Sequence, residues 1–418
     1  MADVWIVNPY AGGPGIGTGW RHWQLARRWR SQGIDVRIIT ASTGIGGGPR
    51  ADPGDRKVDG VPFRFVACRT YSGNGVGRVL SMLEFGSRVG RALRSSMHTD
   101  PKPTKMVLAS SPHPFALAAC ASHCRRQGIR LGVELRDIWP ESLTEVGGVS
   151  PYHPFVIACG AMIRRGIAAA DVVVSPLAGI GRYLSDNGLP VRPTVVVPNG
   201  TDLDGPGEPM ITGHAATALR RARSEERFVI LYAGALGRPN AMHQLLEAIE
   251  LLPLARRSRL TALIVGDGTE RLRLERTAAR IGAGAVTFLG RMPEPEVRSL
   301  ARECDAGFIG WLDRDVYRYG TSPQKVPMML SAGLPIIEAA PSARPDPLPD
   351  GTGWSCRAER PVDLAATIER AMATGHAERL GFRVSCERAA RDRWCWDRIA
   401  TEAAEALGLM VRRREAAV

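Results

Sequence analysis

The sequence has little lysine, no long apolar run and no paired cysteine motif. Of its 55 basic residues only four are lysine, so arginine carries almost all of the positive charge. No apolar run approaches the ~18 residues that a membrane-spanning helix needs. The amino terminus starts on strand-like residues 4–7 and shows no basic region followed by a signal-type apolar core. These absences predict a cytoplasmic protein.

The eight cysteines include no CxxC pair and no Cys/His spacing typical of a zinc site. Cys120, His123 and Cys124 fall at helical spacing, which one helix face explains better than a metal site does. Free thiols in a reducing compartment fit all eight cysteines. We therefore expect neither a metal nor a bound cofactor.

The net charge of +13 is concentrated in the first half of the chain. Residues 1–200 hold 24 basic against 13 acidic side chains, whereas residues 201–418 hold 31 against 29. This asymmetry predicts an anionic partner, a lipid headgroup or lipid pyrophosphate, for the first half alone. No nucleic-acid-binding motif accompanies the charge, so we expect no nucleic acid partner. Candidate contacts to the inner face of the plasma membrane, with solvated surface as the alternative, are Arg21, Arg27, Arg28, Arg88, Arg91, Arg125 and Arg126.

Two domains are expected, because 418 residues exceed what one core usually serves. Strand-like segments recur with helix-like segments between them, which predicts parallel sheets in an α/β architecture. A break at 198–202 divides the chain. We therefore predict domains at 1–200 and 201–395, followed by a C-terminal helix and basic tail at 396–418.

A glycine-rich loop follows the first predicted strand and includes Gly12, Gly13, Gly15 and Gly17. Glycines let backbone amides approach a ligand closely. The loop does not match GxGxxG in register, and the second strand ends without the acidic residue that a nicotinamide ribose requires. A ligand-binding loop is favoured over a tight turn, and a dinucleotide site is disfavoured.

Polar residues follow two further strands. Arg136, Asp137 and Glu141 come after a predicted strand, where a carboxylate can orient a hydroxyl or take its proton. The alternative is a structural ion pair with a helix cap. In the second half, the turn at 233–240 brings amides and Arg238 to a strand end, and guanidinium suits a diphosphate.

Lys325 is the only lysine after residue 105 and starts a predicted helix over 325–332. A compact ammonium beside a helix start suits a phosphate. An exposed surface lysine is the alternative.

Nearly the whole chain resembles family 4 glycosyltransferases of the GT-B fold, which are retaining enzymes with nucleotide-sugar donors. Within that family it is most similar to the O-antigen fucosaminyltransferase-like branch that builds bacterial surface polysaccharides. The stretches that carry the resemblance are NPYAGGPGIGTGWRHWQLARRWRSQGIDVRIIT, ELRDIWPES, VVVPNGTD, ILYAGALG, LIVGDGTERLRLE, VTFLGRM and SPQKVPMMLSAGLPII.

The resemblance implies two facing Rossmann-like domains with parallel sheets and a C-terminal helix. The first would bind the acceptor and the second the nucleotide sugar, with UDP as the favoured nucleotide. Asp137 and Lys325 would be catalytic. The acceptor side would include Arg21, His22 and Glu141. The donor diphosphate would meet Gly234, Arg238, Ser322 and Lys325, and the base and ribose would meet Phe288, Leu289, Gly290 and Glu338.

The chain departs from the family where acidic residues normally bind the donor. Gly320 and Met328 stand at those two places, and a methionine cannot replace a carboxylate toward ribose hydroxyls. Glu338 is the candidate substitute. We predict a retaining glycosyltransferase that transfers a sugar to a lipid-linked or saccharide acceptor. The alternatives are a non-catalytic scaffold relative and a nucleotide-sugar epimerase.

Overall fold

The computed structural model describes residues 3–17, 19–97, 104–111, 113–203, 209–282 and 284–410. The chain divides into two compact units. Unit 1 consists of Met1–Pro198 together with Trp396–Val418, and unit 2 of Asn199–Cys395. The predicted basic tail at 412–414 lies outside the described residues.

Unit 1 is built on an eight-stranded sheet in the order β3-β4-β2-β1-β5-β6-β7-β8. All neighbours pair in parallel except β3, which pairs antiparallel with β4. The central strands are almost wholly apolar because helices cover both of their faces. The strands are β1 (Val4–Val7), β2 (Val36–Ala41), β3 (Gly54–Val58), β4 (Val61–Val66), β5 (Met106–Ser110), β6 (Arg130–Glu134), β7 (Val172–Ser175) and β8 (Thr194–Val196).

In the described residues of unit 1, five α-helices connect these strands, and a sixth comes from the end of the chain. They are α1 (Arg21–Ser31), α2 (Val76–Met97), α3 (Pro114–Gln127), α4 (Pro154–Ala169), α5 (Ile180–Asp186) and α14 (Trp396–Ala406). A short π-helix at Ser142–Val146 follows β6. Helices α2, α3 and α4 pack side by side, and α1 packs against α14.

The last helix belongs to the core of unit 1. Trp29 on α1 donates its indole N–H to the carbonyl of Ala400 at 2.8 Å. Trp396, Ile399 and Leu407 are buried in the same apolar cluster as Trp29. The chain therefore leaves unit 1 after residue 198 and returns to it at residue 396.

Unit 2 has a six-stranded parallel sheet in the order β11-β10-β9-β12-β13-β14. Its strands are β9 (Phe228–Ala233), β10 (Leu260–Val265), β11 (Val286–Gly290), β12 (Ala306–Gly310), β13 (Ile336–Ala340) and β14 (Gly353–Arg357). Its helices are α6 (Gly213–Ser224), α7 (Met242–Leu251), α8 (Leu254–Arg257), α9 (Arg271–Ile281), α10 (Glu294–Arg302), α11 (Lys325–Ser331), α12 (Pro361–Ala373) and α13 (His376–Trp394).

The structure confirms the predicted α/β class with two Rossmann-like domains. The alternation of strand-like and helix-like segments predicted from the sequence is observed in both units, for example in β9, α7 and β10. The sequence did not predict the edge strands β3 and β14 or the helices α12 and α13. None of the helices in the described ranges is both long and apolar enough to cross a bilayer.

Candidate functional site

Lys325, the first residue of α11, is partly buried beside the turn that follows β9. Its Nζ donates to Asn240 Oδ1 at 2.7 Å and to the hydroxyl of Tyr232 at 3.3 Å. It also lies 4.5 Å from the centre of the Tyr232 ring. These partners are uncharged, and burial lowers the pKa of Lys325 to about 7. Because none of these contacts is a carboxylate, the protonated Lys325 amine is suited to bind an anionic ligand.

The turns after β9 and β10 come together beside this amine. A Cβ on Gly234 would lie 3.5 Å from Lys325 Nζ. Gly266, at the end of β10, has φ +134°, and a Cβ there would lie 1.8 Å from the carbonyl oxygen of Gly234. No other residue permits this approach of the two backbones. The glycines therefore let these strand exits meet next to Lys325.

Two more residues predicted for the diphosphate have different surroundings. Arg238 is exposed in the short helical turn after β9. The hydroxyl of Ser322 accepts from the backbone N–H of Asn199 at 2.9 Å. The loop before α11 is thereby attached to the first residue of unit 2. The structure brings Gly234 and Lys325 together and gives Ser322 a protein partner.

Glu338, predicted for the ribose, is buried on β13 with 1% of its surface exposed. Its carboxylate accepts from Arg344 Nη2 at 2.9 Å and from the indole N–H of Trp311 at 3.1 Å. Desolvation raises the pKa of Glu338, and Arg344 opposes that shift. Arg344 also pairs with Asp346, which accepts from the backbone N–H of Thr321 at 2.9 Å. The network thus holds the loop that leads to Lys325.

The residues predicted for the base lie on the edge strand β11. Phe288, Leu289 and Gly290 are half-buried. The carbonyl of Gly290 accepts from the N–H of Gly266 at 2.7 Å, which links this strand end to the turn beside Lys325.

Backbone conformation at position 320 and core packing at position 328 explain why neither position holds an acidic residue. Gly320 is buried and has φ +110°, which disfavours any side chain. Met328 on α11 is 7% exposed and packs in the apolar core of unit 2. A carboxylate is therefore unfavourable at both positions.

In unit 1 the glycine-rich loop folds back on itself. Asn8 starts it by accepting from the N–H of Tyr10 at 2.7 Å and donating to Ser110 on β5 at 2.9 Å. The N–H of Gly12 donates to the carbonyl of Gly19 at 3.1 Å. The predicted residues Gly13, Gly15 and Gly17 lie between these ends, at the carboxyl side of β1.

Arg21 and His22 form a buried cluster with Glu134 at the end of β6. Arg21 Nε donates to Glu134 at 2.9 Å, and His22 Nε2 lies 2.7 Å from the other carboxylate oxygen. All three side chains are fully buried. Burial lowers the pKa of His22, whereas Arg21 and His22 hold the pKa of Glu134 well below its usual value against its desolvation.

Arg21 also donates to the carbonyl oxygens of Val197 at 2.6 Å and Pro198 at 2.9 Å. Arg21 therefore links the start of α1 to residues 197–198, where the chain leaves unit 1. A fully buried guanidinium cannot touch a membrane, so the expectation of an Arg21–lipid contact is wrong. The expected Arg28–lipid contact is wrong for the same reason, because Arg28 is only 6% exposed.

Asp137 follows β6 three residues after Glu134 and is exposed. Although this residue reaches solvent, the protein atoms around its carboxylate partly desolvate it and raise its pKa, while Arg136 opposes that shift. Glu141 is half-buried, and its carboxylate accepts from the hydroxyl of Tyr183 at 2.9 Å. Desolvation raises the pKa of Glu141 as well.

Four polar side chains that bind the predicted site residues were not themselves predicted from the sequence, namely Tyr232, Asn240, Glu134 and Arg344. Tyr232 belongs to the quoted stretch ILYAGALG and Asn240 to the predicted turn at 233–240, so both could have been recognised as neighbours of Gly234. Arg344 lies in the loop after β13, where no motif marks it.

Comparison with known proteins identifies both halves of the chain. Residues 16–200 match the glycosyl transferase 4-like domain, and residues 227–374 match the glycosyl transferases group 1 domain. No curated protein matches the chain significantly.

Solved structures share the fold over almost the full length. Sucrose-phosphate synthase from Thermosynechococcus elongatus superposes with a TM-score of 0.75 at 14% identity, covering 97% of this chain and 98% of that one. Anabaena HepE in complex with UDP-glucose gives 0.65 at 15% identity, with 97% and 99% covered. WaaG, a glycosyltransferase involved in lipopolysaccharide biosynthesis, gives 0.66 at 15% identity, with 96% and 98% covered. The fold is therefore GT-B.

Proposed function

We propose that this glycosyltransferase, which joins a glycosyl transferase 4-like domain to a group 1 domain, uses a UDP-sugar as donor. It moves the sugar, with retention of configuration, to a hydroxyl of a lipid-linked or saccharide acceptor in the synthesis of a surface polysaccharide. Unit 2 binds the donor and unit 1 binds the acceptor. HepE, whose structures contain UDP or UDP-glucose, supports the choice of donor.

The observation that carries the proposal is the environment of Lys325. Its amine is surrounded by neutral oxygens of Tyr232 and Asn240 and lies beside the open backbone of Gly234. A partly buried charge without a counter-ion is unfavourable. A donor diphosphate at Gly234 would provide that counter-ion.

The proposed chemistry follows from the charge that develops during transfer. The bond between the sugar's anomeric carbon and the diphosphate oxygen breaks, and negative charge gathers on the departing diphosphate. Lys325 at the start of α11, together with Arg238 on the turn after β9, stabilises that charge electrostatically. The acceptor oxygen bonds to the anomeric carbon, and Asp137 orients its hydroxyl or takes its proton. Glu338 and the β11 residues 288–290 are proposed to border the nucleoside.

Contact with an anionic membrane is proposed for one helix of unit 1. Helix α2 exposes Val76, Leu80 and Leu83 at helical spacing, with exposed fractions of 74%, 37% and 44%. The same line of exposed positions continues to Arg91 and Arg94. An apolar stripe followed by arginines fits a bilayer, whose interior is apolar and whose headgroups are anionic. These five residues are called the α2 stripe below. WaaG's role in lipopolysaccharide biosynthesis supports a membrane-bound acceptor.

A binding and turnover experiment on Lys325 tests the proposed function. Thermal shift against UDP-, GDP-, ADP- and TDP-sugars should show stabilisation by a UDP-sugar, because a ligand that binds only the folded state raises its stability. Lys325→Ala should weaken that binding at least tenfold and abolish sugar transfer. Lys105→Ala, at a 58% exposed lysine of unit 1, is the control and should change neither.

The outcomes separate the alternatives. Donor binding without transfer to any acceptor would indicate a scaffold protein, and conversion of the donor without acceptor would indicate an epimerase. No stabilisation by any nucleotide sugar would refute the donor site itself.

A further inference from the structure

We propose that Asn199 is a positioning residue for the donor site, because it orients the Ser322 hydroxyl so that its proton bonds to an oxygen of the donor diphosphate. This inference rests on the proposed function and adds two residues to the diphosphate site around Lys325. Asn199 lies in the stretch VVVPNGTD at 195–202, where the chain passes from unit 1 to unit 2.

Two hydrogen bonds join Asn199 to Ser322. The backbone N–H of Asn199 donates to Ser322 Oγ at 2.9 Å, and Asn199 Nδ2 donates to the Ser322 carbonyl at 2.5 Å. Asn199 is buried, whereas Ser322 is half-buried and reaches solvent. Because one bond holds the hydroxyl and the other holds the backbone, together they restrict the orientation of the Ser322 side chain.

The first of these bonds leaves the proton of the Ser322 hydroxyl available. A serine hydroxyl has one O–H donor and two acceptor lone pairs. Since a backbone N–H can only donate, Asn199 occupies a lone pair of Ser322 and not its proton. Among the described residues, none accepts a hydrogen bond from the Ser322 hydroxyl. The proton is therefore free to bond to an acceptor oxygen of a ligand.

The place of Ser322 in the chain favours a phosphate oxygen as that acceptor. Ser322 lies three residues before Lys325, whose amine is bound by the uncharged oxygens of Tyr232 and Asn240. An ionised diphosphate offers several acceptor oxygens, and a hydrogen bond to an ionised oxygen is about twice as strong as one between neutral groups. Lys325 would contribute charge to the site, and Ser322 would contribute a hydrogen bond of fixed direction.

The position of Asn199 is itself fixed on both sides along the chain. On one side, Arg21 binds the carbonyls of the two residues that precede Asn199. On the other side, the N–H of Thr201 donates to the carbonyl of Trp394 at 2.7 Å, and Arg298 donates to the Thr201 hydroxyl at 3.1 Å. Asn199 therefore provides a firm support for Ser322.

The loop that contains Ser322 has further attachments that do not involve Asn199. The backbone N–H of Thr321 donates to Asp346 at 2.9 Å, and Lys325 keeps its own two hydrogen bonds. Removing the Asn199 amide should therefore release Ser322 without unfolding the loop. Asn199 acts on the ligand only through Ser322, which makes it a positioning residue.

Titration calorimetry of the full-length chain with UDP and with inorganic pyrophosphate tests this role. Ser322→Ala removes the proton donor and should raise the Kd of both probes about tenfold, whereas Ser322→Thr, which keeps a hydroxyl, should retain most of the affinity. Asn199→Ala should raise both Kd values about fivefold. The matched control is Asn187→Ala in unit 1, which removes a similar bond from an asparagine amide to a backbone carbonyl at 2.9 Å and should change neither Kd.

A double-mutant cycle distinguishes positioning from a general structural role. If Asn199 acts through Ser322, Asn199→Ala should raise the Kd of UDP in the native chain and leave it nearly unchanged in the Ser322→Ala chain. Equal losses in the two chains would overturn the proposal. Asn199→Leu, which keeps the side-chain volume without the donor, repeats the cycle if the alanine variant does not fold.

Pyrophosphate separates failure of this inference from failure of the proposed function. If both probes bind and neither Ser322→Ala nor Asn199→Ala weakens them, the inference is wrong and the proposed function stands. If pyrophosphate binds with the expected dependence on Ser322 and Asn199 but no nucleotide sugar binds, the proposed donor is wrong and the diphosphate contact is supported. Binding of neither probe to the native chain would refute both.

Discussion

At the scale of single residues, Lys325 links stability to the proposed activity. Its pKa of about 7 in the folded protein lies below the ~10.4 of an unfolded lysine. Between these values the unfolded chain binds more protons, so stability should rise with pH from about 7 to about 10. Lys325→Met should therefore raise the melting temperature at pH 6–7 and lose that advantage near pH 10. A melting temperature below that of the native protein at pH 6.5 would contradict this expectation.

The same residue predicts how donor affinity depends on pH. A diphosphate needs the protonated amine, and above pH 7 the free protein must first take up a proton. The Kd for UDP should then rise about tenfold per pH unit between pH 7 and 8.5. Titration calorimetry at four pH values measures this, and Lys325→Arg should flatten the dependence because guanidinium stays charged. A Kd that is constant for the native protein would exclude Lys325 as the phosphate ligand.

Position 328 holds a methionine where related glycosyltransferases normally have an acidic donor-binding residue. Placing a glutamate there should not create the donor contact of those relatives. The side chain is buried in the core of unit 2, so Met328→Glu places a carboxyl group among apolar neighbours. We expect a loss of about 3 kcal/mol in the free energy of unfolding and no gain in UDP-sugar affinity. Met328→Leu should cost less than about 1.5 kcal/mol. Urea denaturation and titration calorimetry check both variants; tighter donor binding by Met328→Glu would show that the side chain reaches the donor.

At the scale of elements, most apolar strands and the helices between them were predictable, whereas the edge strands β3 and β14 and the helices α12 and α13 were not. Strand β3 has only one buried residue, Val58, and is held by antiparallel pairing with β4, so it has no apolar pattern of its own. The site shows a similar limit. Lys325 was predicted as a solitary lysine at a helix start and Gly234 from the family resemblance. The pairing of Arg21 with Glu134, in contrast, joins residues 113 positions apart that no local pattern connects.

Helix α2 carries the prediction that belongs to this scale. Replacing Leu80 and Leu83 of the α2 stripe by glutamate removes apolar area and adds charge that anionic lipid repels. Binding to phosphatidylglycerol vesicles should fall at least tenfold in sedimentation assays, with UDP-sugar binding unchanged. Leu272→Glu on α9, a residue 69% exposed in unit 2, is the matched control and should bind vesicles as the native protein does. Equal vesicle binding by all variants would remove α2 as the contact.

At the scale of the whole molecule, each unit has its own core, and the chain passes between the units twice. The first passage is held in unit 1 by Arg21, which binds the carbonyls of Val197 and Pro198, and in unit 2 by Asn199, which binds Ser322. The second passage lies beside the first, because the N–H of Thr201 donates to the carbonyl of Trp394 at 2.7 Å. Sequence distance therefore says little about which unit a residue stabilises.

This arrangement predicts that a C-terminal truncation damages the amino-terminal unit. Ending the chain at residue 395 removes α14, uncovers Trp29 and leaves its indole N–H without Ala400. Unit 1 should melt at least 10 °C lower, since several buried apolar side chains are lost at once. Unit 2 should keep its stabilisation by UDP. Calorimetry with and without UDP measures both, and a chain ending at residue 410, which retains α14, is the control. The unit 1 transition is the one whose melting temperature UDP does not change. If this melting temperature is the same in the truncated and control chains, unit 1 folds without α14.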